Sequence, residues 1–193
     1  MAPVAYETAA EALKARLTPE AFGHSERVAE TAASLATIYA ADPEEAQLAG
    51  LLHDWDRERD RGEILEAAMD AGLRVTPTDV AKPRLLHAET GAASLVEELP
   101  GLPDSVLSAV ARHTLGDVEM SDLDRIVYIA DMIEPGRDFP GVDDLREAVG
   151  SVSLNALFAL CYRHTLLYLI EEGRPIHPRT VDVWNSLVAR DLT

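Results

Sequence analysis

Apolar residues recur along this chain at three- and four-residue intervals, and nowhere alternate one-in-two over the length of a strand. Phe22 to Tyr39, alanine-rich with Val28, Leu35 and Ile38 at near-helical spacing, predicts the first long helix. Asp42-Pro43-Glu44-Glu45 predicts the start of a second: a capping aspartate, a proline in the first turn, then acids at the positive end of the dipole. That helix carries Leu48, Leu51 and Leu52 inward and delivers His53 and Asp54 near its end. Glu63 to Asp70 predicts a short helix closed by Gly72, and residues 77–83, with Thr76, Thr78 and Asp79, a loop. Arg84 to Leu99, presenting His87 early, and a segment from Pro103-Asp104 to His113, ahead of Gly116, predict two more helices. Ser121-Asp122-Leu123-Asp124 resembles a capping box opening a helix to Ile133, stopped before Pro135. A loop with Pro135, Gly136, Pro140 and Gly141 follows, then helices over Ser153 to Glu172 and Pro178 to Arg190. No repeat or linker divides the pattern, which predicts a single all-helical domain over residues 1–193.

Composition narrows the function more than the fold. At 193 residues, 47% hydrophobic and 26% charged, the chain is long enough to bury a real core. A formal net charge of -17 argues against a surface that coats nucleic acid, but leaves room for a small anionic ligand held by a few local cations and a metal. The single cysteine, Cys161, has no intrachain partner and fits a reducing compartment. Residues Met1 to Glu7 hold neither a basic region nor an apolar core for a signal peptide. Arg163 and His164 interrupt the apolar stretch from Ala156 to Ile170 well short of a membrane span. Together these predict a cytoplasmic protein.

The pair His53-Asp54 closes the apolar run Leu48-Ala49-Gly50-Leu51-Leu52. An imidazole and a carboxylate beside buried residues are costly to desolvate unless compensated, and a divalent cation compensates both. A helix cap would account for the dipeptide alone. Its company points further: His24 upstream, His87 and His113 downstream, and Asp131 within Ile126-Val127-Tyr128-Ile129-Ala130-Asp131-Met132-Ile133. For Asp131 the plainer alternative is a buried Asp–Arg pair or an exposed helix edge. His164 and His177 fall outside this order and read as structural.

The order His…His-Asp…His…His…Asp, one member per helix or helix end, resembles the HD-domain metal-dependent phosphohydrolases. His24-Ser25-Glu26-Arg27-Val28, Ala49 to Asp54 and His87-Ala88-Glu89-Thr90-Gly91-Ala92 look like the first three blocks of one subfamily. A longer block is more specific: His113-Thr114-Leu115-Gly116, Met120, Leu123 to Asp131 and Ile133 to Val142. It resembles the bacterial YqeK-type symmetrical diadenosine tetraphosphatases, over roughly Phe22 to Asn185. The resemblance implies an HD-type helical bundle with a motif core over residues 22–142 and C-terminal helices over 153–190.

Carried over by position, the resemblance implies metal ligation by His24, His53, Asp54 and Asp131, with His87 and His113 facing the phosphates or completing a second metal site. It implies iron, as one or two ions; the ligand set alone admits manganese, cobalt, nickel or zinc. Two departures bear on substrate preference and rate. Ala21-Phe22-Gly23 stands where members commonly carry a basic residue, and Trp55-Asp56-Arg57 where many carry lysine, so that Arg57 keeps the charge with a different geometry. Asp54 or Asp131 would orient a water, with Asp54, His87 and His113 as the catalytic candidates. Arg57, His87, His113, Thr114 and Arg137 are the candidate phosphate contacts, and Gly116 either admits a phosphate or ends a helix. The alternative for Arg137 is a surface salt bridge with Asp138 or Glu134.

The implied reaction is symmetrical hydrolysis of diadenosine tetraphosphate to two ADP. Another nucleotide as the substrate, or a sensor that binds metal and nucleotide without turnover, are the alternatives. The Gly-Tyr-Pro element of cyclic-dinucleotide phosphodiesterases is missing after the HD pair. The expected partner is a dinucleoside polyphosphate, without nucleic acid or membrane; a homodimer is left open.

Overall fold

The computed structural model describes residues 4–191, so residues 1–3, 192 and 193 of the predicted domain lie outside the described part. Eleven α-helices and a 3-10 turn make up the described chain, with no strand among the described residues. They are α1 (Tyr6–Lys14), α2 (Pro19–Ile38), α3 (Pro43–Leu52), α4 (Arg61–Asp70), α5 (Pro77–Ala81), α6 (His87–Glu98), α7 (Asp104–Arg112), α8 (Asp122–Ile133), α9 (Val142–Ala148), α10 (Leu154–Glu171) and α11 (Pro178–Asp191), with the 3-10 turn Pro83–Leu86 leading into α6.

The predicted caps form. Asp42 accepts from the Glu44 and Glu45 amides, and Ser121 with Asp124 completes the reciprocal box at the start of α8. Three helices were not predicted. α1 buries Ala9 and Leu13, one turn apart, against the core. α5 replaces the expected loop: Thr76 and Asp79 form a capping box around Pro77, which holds five residues helical. α9 starts from Gly141 at φ 91°, without a side-chain cap, so it carries no start signal of the usual kind. The expected helix over Arg84 to Leu99 is also divided, because Pro83 opens a 3-10 turn before the α-helix begins at His87.

The core lies where α2, α3 and α8 cross. Val28, Ala29, Ala32, Leu35 and Ala36 of α2 meet Leu48, Leu51 and Leu52 of α3 and Ile126, Val127, Ile129 and Ala130 of α8. Small alanines fill the buried stripe of α2 while Ile38, assigned to that stripe by spacing, is 51% exposed. Small residues permit close approach, and Gly50 is its limit: a Cβ there would sit 2.9 Å from Ala29 Cα and 3.0 Å from Val28 O. Both neighbours are backbone, so neither can move aside as a side-chain tip would. Gly50→Ala is therefore expected to lower stability by about 1–3 kcal/mol through overpacking, despite the roughly 1 kcal/mol gain in helix propensity. Thermal denaturation checks this; an unchanged or higher Tm would contradict the close approach.

Candidate metal centre and active site

Close contact of α2 with α3 sets His24 and His53 side by side, ring centroids 5.2 Å apart. The rings continue as a chain: His53 to His113 at 4.8 Å and His113 to His87 at 4.9 Å. Asp54 and Asp131 complete the cluster, so all six residues singled out by their order in the sequence converge. His164 and His177 lie elsewhere: His164 against the Pro140 carbonyl, His177 against Asp79 and Thr76.

A shared local device aims the imidazoles. The Nδ1 atoms of His53, His87 and His113 lie 2.7, 2.6 and 2.8 Å from the carbonyls of Gly50, Arg84 and Val110, each three residues earlier. A carbonyl only accepts, so each Nδ1 donates a proton to it and each ring turns its Nε2 to the centre. His24 reaches the same orientation differently, with Nδ1 3.1 Å from Glu134 Oε1. Its Nε2 is 3.0 Å from Asp131 Oδ1.

Asp54 divides its oxygens between two imidazole pairs. Oδ2 lies 3.4 Å from His53 Nε2 and 3.8 Å from His24 Nε2, while Oδ1 lies 2.9 Å from His87 Nε2 and 3.6 Å from His113 Nε2. Burial pushes the Asp54 carboxyl up, but His53 beside it, with the His113 and His87 imidazoles, holds it well below the usual range. Asp131 behaves alike: burial is outweighed by the His24 hydrogen bond and the charges of His53 and Arg137, and the group stays a carboxylate. Burial lowers His24, yet its bond to Asp131 and that carboxylate's charge raise it overall.

This donor set suits a divalent cation. His53 Nε2 is wholly buried without a hydrogen-bond partner. The Nε2 atoms of His87 and His113 face each other at 3.1 Å. Lone pairs brought together beside two carboxylates are repulsive unless a cation or proton lies among them. His24, His53 and Asp131, and likewise His53, Asp54 and His113, present donor atoms within 4.8 Å of one another.

Glu134 and Arg27 were not singled out by the sequence reading. Glu134, 1% exposed, accepts from Arg27 Nε at 2.6 Å and from the Gly136 amide at 2.5 Å while it orients His24. A Cβ at Gly136 would lie 2.7 Å from the Arg27 guanidinium and would displace it from Glu134. The spacing held the signal: Arg27 follows His24, and Glu134 follows Asp131, by three residues. Carboxylates behind metal-ligating histidines fix ring orientation and raise basicity. Glu134→Gln is thus expected to weaken metal binding about 10–100-fold with helix content intact. Metal retention against a graded chelator measures it, and wild-type retention would contradict the role.

Two cavities open on the cluster, of about 260 and 330 Å3. The smaller is lined by His87, His113, Thr114, Tyr128 and Phe139, the larger by Thr18, His24, Asp54 and Glu134, and Arg57 and Arg137 line both. Arg57 Nη1 is 3.6 Å from Asp54 Oδ1. Of the two salt-bridge partners weighed for Arg137, Glu134 lies at 3.9 Å; the closer bonds are to the Asp131 carboxylate and, through Nε, to the Asp131 carbonyl at 2.8 Å. Asp131, partly exposed, thus pairs with an arginine and also lies in the cluster. Thr114 Oγ1 donates to His113 Nε2 at 3.0 Å. Gly116, at φ 69° with its amide on the Arg112 carbonyl, ends α7.

Residues 21–136 match the HD-domain family model. The chain is 34% identical over 182 residues to a Halalkalibacterium halodurans protein named symmetrical bis(5'-nucleosyl)-tetraphosphatase, covering 93% of this chain and 95% of that one. A Staphylococcus aureus protein of the same name is 34% identical, with 93% and 92% covered. A crystal structure of a Clostridium acetobutylicum HD-superfamily hydrolase, described as involved in NAD metabolism, superposes with a TM-score of 0.90 at 35% identity, covering 98% of this chain and 100% of that one. By the matched model and by likeness over nearly its whole length, the chain belongs to the HD-domain family and, within it, to the family of symmetrical bis(5'-nucleosyl)-tetraphosphatases.

Proposed function

We propose that the protein hydrolyses diadenosine tetraphosphate at its centre to give two ADP. The observation that carries this reading is the convergence of four imidazole Nε2 atoms on two carboxylates, between two cavities that share Arg57 and Arg137. Relatives of nearly equal length bear the corresponding name. A substrate with two like halves suits a centre open on both sides.

His24, His53, Asp54 and Asp131 would hold the metal, with iron as the proposed ion and His87 and His113 available to a second. When bound, the metal lowers the pKa of a water and offsets charge on the attacked phosphoryl group. Asp54, held anionic, orients that water through a carboxylate oxygen. Arg57 and Arg137 lie where a phosphate chain passes from one cavity to the other, and charge-assisted bonds hold it in line. In place of holding a second ion, His87 Nε2, 2.9 Å from Asp54 Oδ1 with His113 and Thr114 close by, is placed to pass a proton to the departing ADP. Tyr128 and Phe139 offer an aromatic wall to a nucleobase.

Among the described residues no helix is long and apolar enough to cross a membrane. Burial pushes the Cys161 thiol up to about 12, leaving it unreactive. A cytoplasmic setting with its nucleotide pools accords with the proposed substrate. Turnover of a panel comprising dinucleoside polyphosphates, nucleoside monophosphates and guanosine tetraphosphate tests the reading. Preference for diadenosine tetraphosphate is expected; preference for a mononucleotide, or binding without turnover, would replace it.

A further inference from the structure

Ten of the described lysines and arginines pair with a carboxylate. Acids outnumber bases 34 to 17, so carboxylates are in excess over the cations they could pair. Among the described residues six make no ion pair: Lys14, Arg61, Arg74, Lys82, Arg84 and Arg163. Three of these, Arg61, Lys82 and Arg84, line one cavity of about 450 Å3. Arg174 joins them, held only loosely by Glu172 at 3.9 Å with both side chains half exposed. Leu85, Leu169 and two prolines give the cavity an apolar floor. Like charges gathered with one distant carboxylate among them repel unless an anion neutralises them.

The position of this cavity gives it a purpose. Arg84 lines it and His87 lines the smaller active-site cavity, three residues apart where the 3-10 turn passes into α6. Leu169 lines it and Thr165 lines the smaller cavity, four residues apart on α10 and so on one face. On both walls a residue lining one cavity therefore stands about one helical turn from a residue lining the other. The inner cavity, at about 260 Å3, falls below the roughly 300–1,000 Å3 usual for a bound small molecule, so a nucleotide placed there extends beyond it.

We infer that the cavity lined by Arg61, Lys82, Arg84 and Arg174 is a second binding site for a phosphate-bearing nucleotide. Its occupant is either the outer end of the substrate half seated in the inner cavity or a separate ADP. The inference builds on the proposed nucleotide hydrolysis, but its test reads binding.

The test titrates the metal-loaded full chain with ADP in a calorimeter. The comparison is between wild type, the double variant Lys82→Ala/Arg174→Ala and, as a control, Arg163→Ala, which removes an unpaired cation elsewhere. The double variant is expected to lose at least tenfold in affinity at one class of ADP site, while Arg163→Ala binds as wild type. A parallel rise in KM for diadenosine tetraphosphate identifies the occupant as the outer part of the substrate; an unchanged KM identifies a separate nucleotide. An ADP isotherm unchanged in the double variant overturns the site. Altered ADP binding in a protein that does not turn over the dinucleotide would keep this site and remove the proposed reaction alone.

Discussion

His53→Ala and Asp54→Ala are each expected to abolish hydrolysis and to strip most of the bound metal while helix content stays largely intact. Both residues follow α3, whose apolar run packs into the core through Leu48, Leu51 and Leu52. His53 contributes the buried Nε2 without another partner, and Asp54 the carboxylate shared among four imidazoles. Removal of Asp54 leaves those rings without their central counter-charge, and removal of His53 leaves a void where a ligand stood. Elemental analysis beside circular dichroism and a turnover assay checks each variant. Full activity with normal metal occupancy in either would remove the centre from consideration.

Arg137→Ala is expected to leave metal content unchanged and to lower kcat/KM by roughly 1.5–3 kcal/mol, about 10- to 150-fold, the range of a charged hydrogen bond. The guanidinium lines both cavities and bonds Asp131. Arg137→Lys should restore only part, because a point charge does not reproduce a planar bidentate grip on phosphate. If Arg137 serves instead to hold Asp131 in place, metal loss and a lower Tm would appear together, with the remaining loaded enzyme kinetically normal. Metal content, Tm and kcat/KM for both variants separate the two roles.

Much of this was legible from the residues because their signals are local. Asp42-Pro43 and the Ser121–Asp124 box set helix starts through bonds made within a few residues, and the histidines could be ordered by their helix ends. Convergence of the six was a matter of tertiary packing, reached through resemblance and seen directly only in the fold. What escaped the sequence reading depends on contacts across the chain or on weak starts. α9 begins on a left-handed glycine, α5 is too short for periodicity, and Ile38 loses its buried place because alanines bring α2 against its neighbours. Glu134 read as part of a Pro/Gly-rich loop, since nothing local reveals that Arg27, 107 residues away, fixes it behind His24. Arg137 likewise found its partner six residues back, where the chain turns after α8, rather than at Asp138 beside it.

The most direct measurement of the central claim is the product pattern of diadenosine tetraphosphate turned over in 18O-labelled water by protein of known metal content. Attack on one of the two inner phosphorus atoms breaks the central bridge, so the water oxygen enters one ADP and the bridging oxygen leaves with the other. The account predicts ADP as the sole product, with one label per pair of ADP molecules, on a terminal phosphate, and a rate proportional to metal occupancy. AMP with ATP as products, or turnover independent of metal, would contradict it.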